Sequence, residues 1–438
     1  MVDQVIKTGT VISMIKEDKQ FDTYALTEPL SPDMVGNLND LLRQQLGESA
    51  PLPVVSEKVE IKQASNLNSA IEAVVSEILT SQEVNQASLQ TKLNRLFEFQ
   101  KQIFQQAEIN SAQRTRQYIS KCGLVMSPEQ CITTQTDVLR VHAFIRAIDQ
   151  ALTELRDKFD GMLHIAYPAC GPFAPLLLPL IAYYQQQGTY HENDLCISLV
   201  DMQPGAVISL EALTKALNIS QFIYDIPCQD ATEFTSDLPI HMVVLEAMQH
   251  GFSREGHLQI ARHFANIMEP NGAFIPQEVS LRAVLSIGQA EFIDQWQDRD
   301  ADLEEKNMLQ KYTEQRVELG EILTITAESL RSLNEKKLNE NTSLIECNKV
   351  KIPTLIKDPT KQMLLICTRI NTYGLEGVGE YESGITHPLP DMNVCINFTP
   401  KDTRSGDLLL KSGDYIKFYY RLNGLPGFLP TWGGSDND

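Results

Sequence analysis

Short apolar runs alternate with helical patterns between His164 and Pro276 of this 438-residue chain. Apolar strands are predicted within the segments HIAYPACGPF, LCISLVDMQPG, the stretch ending in QDATEF, HMVVLEAMQHGF and IMEPNGAFIP. This alternation is typical of a parallel sheet with helices on both faces, an α/β arrangement. Because such sheets bind ligands at the carboxyl ends of their strands, the residues that follow each run are the candidate site.

Helical spacing dominates the part of the chain before this sheet. One predicted helix face consists of Ile71, Val74, Val75, Ile78 and Leu79. The stretch from Gln86 to Ser120 then continues without Pro or Gly. We therefore expect a mostly helical N-terminal domain over residues 1–135, followed by the sheet domain over residues 136–276.

Beyond Pro276 the pattern changes to short strands that are separated by Gly, Pro and Asp turns. Such strands are predicted in QEVSLRAVLSI, LIECNKVKIP, KQMLLICTRINTYG, DMNVCINFTP, GDLLLKSG and DYIKFYYRLNG. This texture predicts an antiparallel β-barrel or sandwich over residues 277–438. A charged stretch near residues 289–334 predicts a helical insert, which is either a solvated helix or an arm for self-association.

Composition narrows the classes of partner. The formal net charge is -20, which disfavours nucleic acid and anionic membranes and mildly favours cationic substrates, although acidity also simply aids solubility. Eight cysteines form no CxxC pair and no zinc spacing, so we predict no metal site and a reducing compartment. No signal peptide or membrane span is apparent. We expect a cytoplasmic protein.

Acidic residues follow several of the predicted strands. Asp201 is placed to accept hydrogen bonds from both hydroxyls of a ribose, or else it caps the next helix. Asp230 and the neighbouring Ala231 are placed to read an adenine amino group, or else Asp230 is a loop acid. These acids predict a nucleoside site at the edge of the sheet.

Two glutamates separated by nine positions form the second candidate constellation. Glu246 closes an apolar run, and Glu255 follows on the same loop. Two carboxylates on one loop can clamp a guanidinium or ammonium group through charge-assisted hydrogen bonds and orient its lone pair. The alternative for Glu255 is an acid that offsets a helix dipole at the start of a helix.

The turn after the first predicted strand and the predicted helix before the sheet give weaker evidence for a cofactor site. The turn ACGPF contains a single glycine, Gly171, which either admits a cofactor close to the backbone or is a structural turn residue. Arg140 lies on the predicted helix before the sheet. Its guanidinium either pairs with a cofactor carboxylate or belongs to a solvated helix face.

Over about residues 136 to 425 the chain resembles the protein arginine methyltransferase family. The motifs that carry this resemblance are Glu246-Ala247-Met248 with Glu255, the run IMEPNGAFIP, Thr386-His387 within ESGITHPLP, and TDVLR with Arg140. The chain departs from the family pattern where most glycines of the first turn are missing and where Pro388 replaces a tryptophan.

The resemblance implies a Rossmann-like sheet of the class I methyltransferases with S-adenosylmethionine (SAM) as cofactor. It implies cofactor contacts from Arg140, Cys170, Gly171, Asp201, Met202, Asp230 and Ala231. It also implies that Glu246 and Glu255 grip the substrate nitrogen and that His387 borders the pocket, so these three are the predicted catalytic residues.

Three functions remain open at this point. The first is a SAM-dependent methyltransferase that N-methylates a cationic protein or small molecule, either as a monomer or as a homodimer. The second is a SAM-dependent enzyme of natural-product synthesis that transfers another group or methylates oxygen or carbon, because the altered first turn could shift the sulfonium. The third is a catalytically silent binding protein that retains the methyltransferase fold.

Overall fold

The computed structural model describes residues 57–81, 83–294, 316–397 and 404–435. The chain separates into two units, residues 1–57 and 58–438, and every element below belongs to the second unit, apart from Glu57. The expectations for residues 1–56 and for the middle of the insert, residues 295–315, lie outside the described residues.

Helices precede the central sheet, as the apolar spacing predicts. The elements are α1 (Glu57–Thr80), α2 (Gln86–Gln106), α3 (Ser111–Thr115), the hairpin strands β1 (Tyr118–Ile119) and β2 (Leu124–Val125), α4 (Pro128–Cys131), a 3-10 helix (Ile132–Thr136) and α5 (Val138–Lys158). Asn85 caps α2 by accepting a hydrogen bond from the Ser88 amide. The apolar stripe of α2 is buried against the rest of the chain.

The central sheet has five parallel strands. They are β3 (Leu163–Pro168), β4 (Leu195–Val200), β5 (Ile223–Asp225), β6 (Ile240–Val244) and β7 (Met268–Ile275), in the spatial order β5-β4-β3-β6-β7. Every residue of β3, β4 and β6 is buried, as expected for strands that are covered on both faces. The strand order reverses between β3 and β6, and the carboxyl ends of these two strands therefore flank a crevice.

Three helices and two short 3-10 turns connect these strands. The helices are α6 (Leu178–Gln187), α7 (Pro204–Ala216) and α8 (His257–Ile267), and the 3-10 turns are Ser220–Phe222 and Ala231–Glu233. The third strand ends at Asp225, so it stops five residues before Asp230, where we expected its end. Pro227 explains this difference, since proline cannot donate a ladder hydrogen bond.

The C-terminal part is rich in antiparallel strands. Its elements are β8 (Glu278–Ile287), α9 (Gly288–Phe292), β9 (Val317–Ile325), α10 (Ala327–Ser332), β10 (Glu335–Asn339), β11 (Thr342–Lys351), β12 (Gln362–Tyr373), β13 (Glu376–Val378), β14 (Leu389–Asp391), β15 (Val394–Ile396), β16 (Leu408–Leu410), β17 (Tyr415–Arg421) and β18 (Gly427–Trp432), with 3-10 turns at Pro359–Lys361 and Gly384–Thr386. The predicted strands are present.

These strands form open sheets. One has the order β13-β12-β8-β9 with β14 beside β12, another has the order β10-β11-β17-β18, and β15 pairs with β16. No closed barrel is present among the described residues. Within the predicted helical insert, residues 317–325 form strand β9 because they pair with β8.

Helix α5 joins the C-terminal sheets to the central sheet. Thr372 on β12 donates a hydrogen bond to the Ala143 carbonyl at 3.2 Å, and Arg146 forms an ion pair with Glu376 at 2.6 Å. One continuous hydrophobic core runs from Leu67 to Leu422. In the described ranges no helix is long and apolar enough to cross a membrane.

Candidate functional site

The turn after β3 brings its backbone towards the end of β4. Gly171 has φ +66°, a left-handed conformation that glycine adopts without steric cost, and its amide donates a hydrogen bond to Asp201 Oδ2 at 2.9 Å. Ala169 has φ +50°, so an alanine occupies a conformation that favours glycine. Cys170 is buried with its Sγ 3.9 Å from the Val200 carbonyl, so it packs beneath the turn.

Asp201 lies at the carboxyl end of β4, as the sequence predicts, and only 8% of it is exposed. Its carboxylate accepts hydrogen bonds from the amides of Gly171 at 2.9 Å and Gln203 at 2.8 Å. Burial raises the pKa of this carboxyl to about 6, although the backbone hydrogen bonds favour the ionised form. Asp201 and Met202 both line a cavity at this edge of the sheet.

Gln203 is a site residue that sequence reasoning missed. Its amide nitrogen Nε2 donates to the carbonyls of Arg116 at 2.7 Å and Met126 at 2.9 Å. Its Oε1 is buried and has no hydrogen-bond partner among the described residues, and the side chain lines the cavity. A buried acceptor without a partner costs free energy, so a ligand donor here would stabilise the site.

Asp230 and Ala231 lie on the cavity wall opposite the first turn. Asp230 caps the short helix Ala231–Glu233 by accepting from the Thr232 amide at 2.9 Å. The side chain of Asp230 thus already serves as a cap. Asp230 is therefore a loop acid that also lines the cavity, and its contact with an adenine amino group stays a prediction.

The hairpin β1–β2 forms the outer wall of the cavity, and no sequence signal pointed to it. Leu124 donates its amide to the Arg254 carbonyl at 2.7 Å, and Lys121 forms an ion pair with Glu233 at 2.6 Å. A Cβ on Gly123 would lie 2.7 Å from the backbone carbon of Glu255, so only glycine allows this contact. The hairpin is therefore packed directly on the loop that carries the paired glutamates.

Glu246 lies two residues beyond β6 and is bound to Arg140. The distance from Arg140 Nη1 to Glu246 Oε2 is 3.1 Å, and Arg140 Nη2 lies 3.2 Å from Asp137 Oδ2. Burial raises the pKa of Glu246 to about 7, against the opposing effect of the Arg140 charge. The Arg140 Nε is buried and has no hydrogen-bond partner among the described residues, and Arg140 is not one of the residues that line the cavity.

Glu255 faces the same region as Glu246. It lines the cavity, and its pKa is raised to about 7, first by burial and then by the negative charge of Glu246. Glu246 itself is not among the residues that line the cavity, although its neighbour Ala247 is. The two carboxyl groups can hold one proton or one cation between them at neutral pH.

The loop between the two glutamates is held by the C-terminal sheet. Tyr420 on β17 donates its hydroxyl hydrogen to the Phe252 carbonyl at 3.0 Å, and the Arg254 amide donates to the Pro426 carbonyl at 2.7 Å. Gly251, Phe252 and Arg254 all have positive φ, so the loop is a tight turn whose shape depends on these contacts.

The turn that contains His387 contacts the candidate site through Ser383. Ser383 donates its hydroxyl hydrogen to Asp137 Oδ2 at 2.6 Å, beside Arg140. His387 is exposed, and its ring lies 5.3 Å from the ring of Tyr381. The structure therefore brings Ser383 into the Asp137–Arg140–Glu246 cluster, and it places His387 on the outer side of the same turn.

His257, at the start of α8, has a structural role. His257 is buried, its Nδ1 accepts a hydrogen bond from the Ala247 amide at 3.4 Å, and burial lowers its pKa to about 3. A neutral imidazole therefore supports the backbone beside Glu246. In the part of the chain that the structure describes, no group of three or more His, Cys, Asp or Glu is arranged to hold a metal ion.

The cavity has a volume of about 100 Å³. Its walls come from the first turn, the end of β4, the hairpin and the loop after β6, and they include Gly171, Asp201, Gln203, Ala231 and Glu255. Small-molecule sites typically measure about 300–1,000 Å³. The cavity is thus smaller than a typical small-molecule site.

Comparisons with known proteins give similarity in structure but not in sequence. No protein-family model matches the chain, and no curated protein matches it in sequence. One similar solved structure is the Trypanosoma brucei PRMT1 enzyme–prozyme heterotetrameric complex with AdoHcy, with 11% identity over 69% of this chain and 97% of that chain and a TM-score of 0.37. Another is Arabidopsis thaliana protein arginine methyltransferase 10, with 11% identity over 65% of this chain and 86% of that chain and a TM-score of 0.33.

Proposed function

We propose that this protein is a SAM-dependent methyltransferase that methylates a cationic nitrogen. The observation that carries the proposal is that Asp201, at the end of β4, and Glu255, on the loop after β6, line the same cavity. A ribose-binding acid and a cation-binding acid on one cavity suit a nucleoside cofactor and a basic substrate.

The residues present fit the chemical groups of SAM. Asp201 retains acceptor capacity for ribose hydroxyls, since each carboxylate oxygen can accept more than the one backbone hydrogen bond described. The unpartnered Gln203 Oε1, which also lies on the cavity, adds an acceptor for a ligand donor. The hydrogen-bonding needs of the ligand and the unsatisfied groups of the protein are thus complementary.

When bound, SAM supplies a methyl group to a nucleophilic nitrogen, and its sulfonium becomes a thioether. Glu255 positions the substrate cation through charge-assisted hydrogen bonds and aims the nitrogen lone pair at the methyl carbon. Because its pKa is raised to about 7, Glu255 can also accept the proton that the nitrogen loses. Glu246, held by Arg140, keeps a second negative charge beside it.

A silent binding protein is the second candidate, and two observations favour it. The cavity is narrow, and Arg140 already neutralises Glu246 within the protein. In that case the Glu246 carboxylate serves to hold α5 against the loop, and no substrate cation is needed to balance its charge. The transfer of a group other than methyl has no observation of its own in its favour.

Calorimetry and a methyl-transfer assay on the full chain together separate these candidates. We expect both SAM and its demethylated product to bind, and a tritiated methyl group to be transferred from SAM to an arginine- or lysine-rich peptide. Binding without transfer to any cationic acceptor would assign the chain to the silent class. Absence of binding by both nucleosides would refute the proposal.

A further inference from the structure

The outward face of the sheet β10-β11-β17-β18 is basic, although the whole chain has a net charge of -20. On β17, Ile416, Phe418 and Tyr420 are buried, so the alternate residues point away from the core. Residues of β11 that pair with the outward residues of β17 lie on the same face, and so do the residues of β10 that pair with those of β11. The basic side chains of this face are Lys336, Lys349, Lys351, Lys417 and Arg421.

Two of these lysines face each other directly. Lys349 and Lys417 are Cα partners across the β11–β17 ladder. Like charges directly opposite each other destabilise a sheet. Glu346 forms an ion pair with Lys417 at 2.7 Å, and it is the acidic residue that pairing places on this face among the described residues. Lys336, Lys349, Lys417 and Arg421 outnumber this single glutamate, which favours an anionic partner.

The tyrosines of this face hold the ammonium groups in place. The Lys349 Nζ lies 4.4 Å from the centre of the Tyr415 ring, and the Lys417 Nζ lies 5.9 Å from the Tyr419 ring. Such cation–π contacts position a lysine while leaving its N–H donors available. They also cover the rings with charge, so these rings are poor platforms for stacking nucleic-acid bases.

We propose that this face, the basic sheet face, binds an acidic segment of a partner polypeptide. Along β17 the face extends about 20 Å at roughly 3.4 Å per residue, which an extended segment of about six residues would span. A nucleic acid carries its charges far beyond such a distance and would meet the surrounding surface of an acidic chain. A short acidic segment keeps its carboxylates within the face, and tyrosine is common at protein interfaces.

The proposal is independent of methyl transfer and is tested by fluorescence anisotropy on the full chain. The probe is a fluorescein-labelled decamer of glutamate, and a decamer of thymidylate is the alternative probe. We expect glutamate binding to weaken as NaCl rises from about 50 mM to about 200 mM. Lys349→Glu should weaken this binding at least about tenfold, with a smaller loss for Lys349→Gln.

Lys215→Glu is the matched control, since Lys215 is exposed on α7, in the layer that covers the central sheet. This control makes the same change of charge and should bind the glutamate decamer like the wild type. Circular dichroism melting of each variant reports whether it is folded. Tighter binding of thymidylate than of glutamate, equal losses in the Lys215 and Lys349 variants, or no binding of either probe would overturn the proposal.

Discussion

Arg140 and Glu246 form a buried ion pair, with 3.1 Å between Nη1 and Oε2 and side-chain exposures of 10% and 7%. Arg140 lies in the first turn of α5, and Glu246 follows β6, so the pair joins the lead-in helix to the carboxyl end of the sheet. Asp137, the N-cap of α5, shares the same guanidinium and accepts a hydrogen bond from Ser383. The cluster therefore connects three parts of the fold at the edge of the candidate site.

Replacement of one partner of this pair should be costly. Arg140→Met leaves Glu246 buried without its cation, and we expect the free energy of unfolding to fall by about 3–5 kcal/mol. Urea denaturation measures the effect. The double variant Arg140→Met/Glu246→Gln should recover a large part of the loss, because no uncompensated charge remains. A loss equal to the sum of the two single variants would contradict a coupling between them.

Asp201→Asn should weaken binding of the cofactor. An asparagine offers one oxygen to the two amides of Gly171 and Gln203, and its NH₂ group would face the other donor. The loss of a hydrogen bond to a charged group predicts a decrease in SAM affinity of about 10- to 100-fold, measured by calorimetry. The exposed Asp237→Asn serves as control and should bind normally.

Glu255 should make stability depend on pH. Its pKa in the folded chain is about 7, above the ordinary value of 4.5, so the folded state retains a proton that the unfolded chain releases. The free energy of unfolding should therefore fall as pH rises from about 4.5 to about 7, by up to about 1.4 kcal/mol per pH unit. Above this window both states are ionised, and this contribution to stability has been lost.

The comparison of Glu255→Gln with wild type across this pH range isolates the effect. The variant should show a smaller slope, whereas Glu72→Gln, on the exposed side of α1, should retain the slope of the wild type. Identical slopes in wild type and Glu255→Gln would show that the carboxyl is not buried in a protonated form. Substrate binding, which requires the ionised carboxylate, should instead improve as pH rises through about 7.

Gly123→Ala should separate the hairpin β1–β2 from the loop that carries Glu255. The added Cβ would lie 2.7 Å from the Glu255 backbone carbon and 2.7 Å from the Gly256 nitrogen, and backbone atoms cannot move aside cheaply. We expect faster hydrogen exchange of the Leu124 amide, whose 2.7 Å hydrogen bond to Arg254 would be lost. Gly161→Ala, where nothing lies near the added Cβ, controls for a general effect of substitution at positive φ.

Tyr420→Phe should loosen the loop between the glutamates. The variant removes a buried hydrogen bond of 3.0 Å to the Phe252 carbonyl and leaves this acceptor unpaired, at a cost of about 1–3 kcal/mol. Thermal melting measures the loss of stability, and methyl transfer should slow because Glu255 is held less firmly. Tyr419→Phe, on the outward face of the same strand, should leave both stability and transfer near those of the wild type.

Part of the site could be predicted from local sequence alone. Asp201 and Gly171 directly follow continuous apolar runs, and parallel strands place such residues on one edge. The separation of Glu246 and Glu255 on one loop likewise limits the distance between them. His387 illustrates the limit of this approach, since a motif does not determine which residue of its turn faces inward, and Ser383 does so here.

The hairpin wall, Gln203 and the Arg140–Glu246 pair could not be predicted in this way. Each depends on contacts between residues that are distant in the chain, such as Leu124 with Arg254 for the hairpin and Gln203 with Arg116. Hydrophobic periodicity specifies which face of an element is buried, but it does not specify the element against which that face packs. The bulk charge also concealed the basic sheet face, because a sum over the chain contains no information about position.

The sequence by itself determined the order of helices and strands, the parallel sheet and the strand end that carries Asp201, because period and turn residues are local properties of the chain. Only the tertiary structure decided that Arg140 neutralises Glu246, that the hairpin narrows the cavity, and that lysines of separate strands form one face. These features arise when distant segments pack together, and burial then changes the charge and the hydrogen-bonding needs of each group.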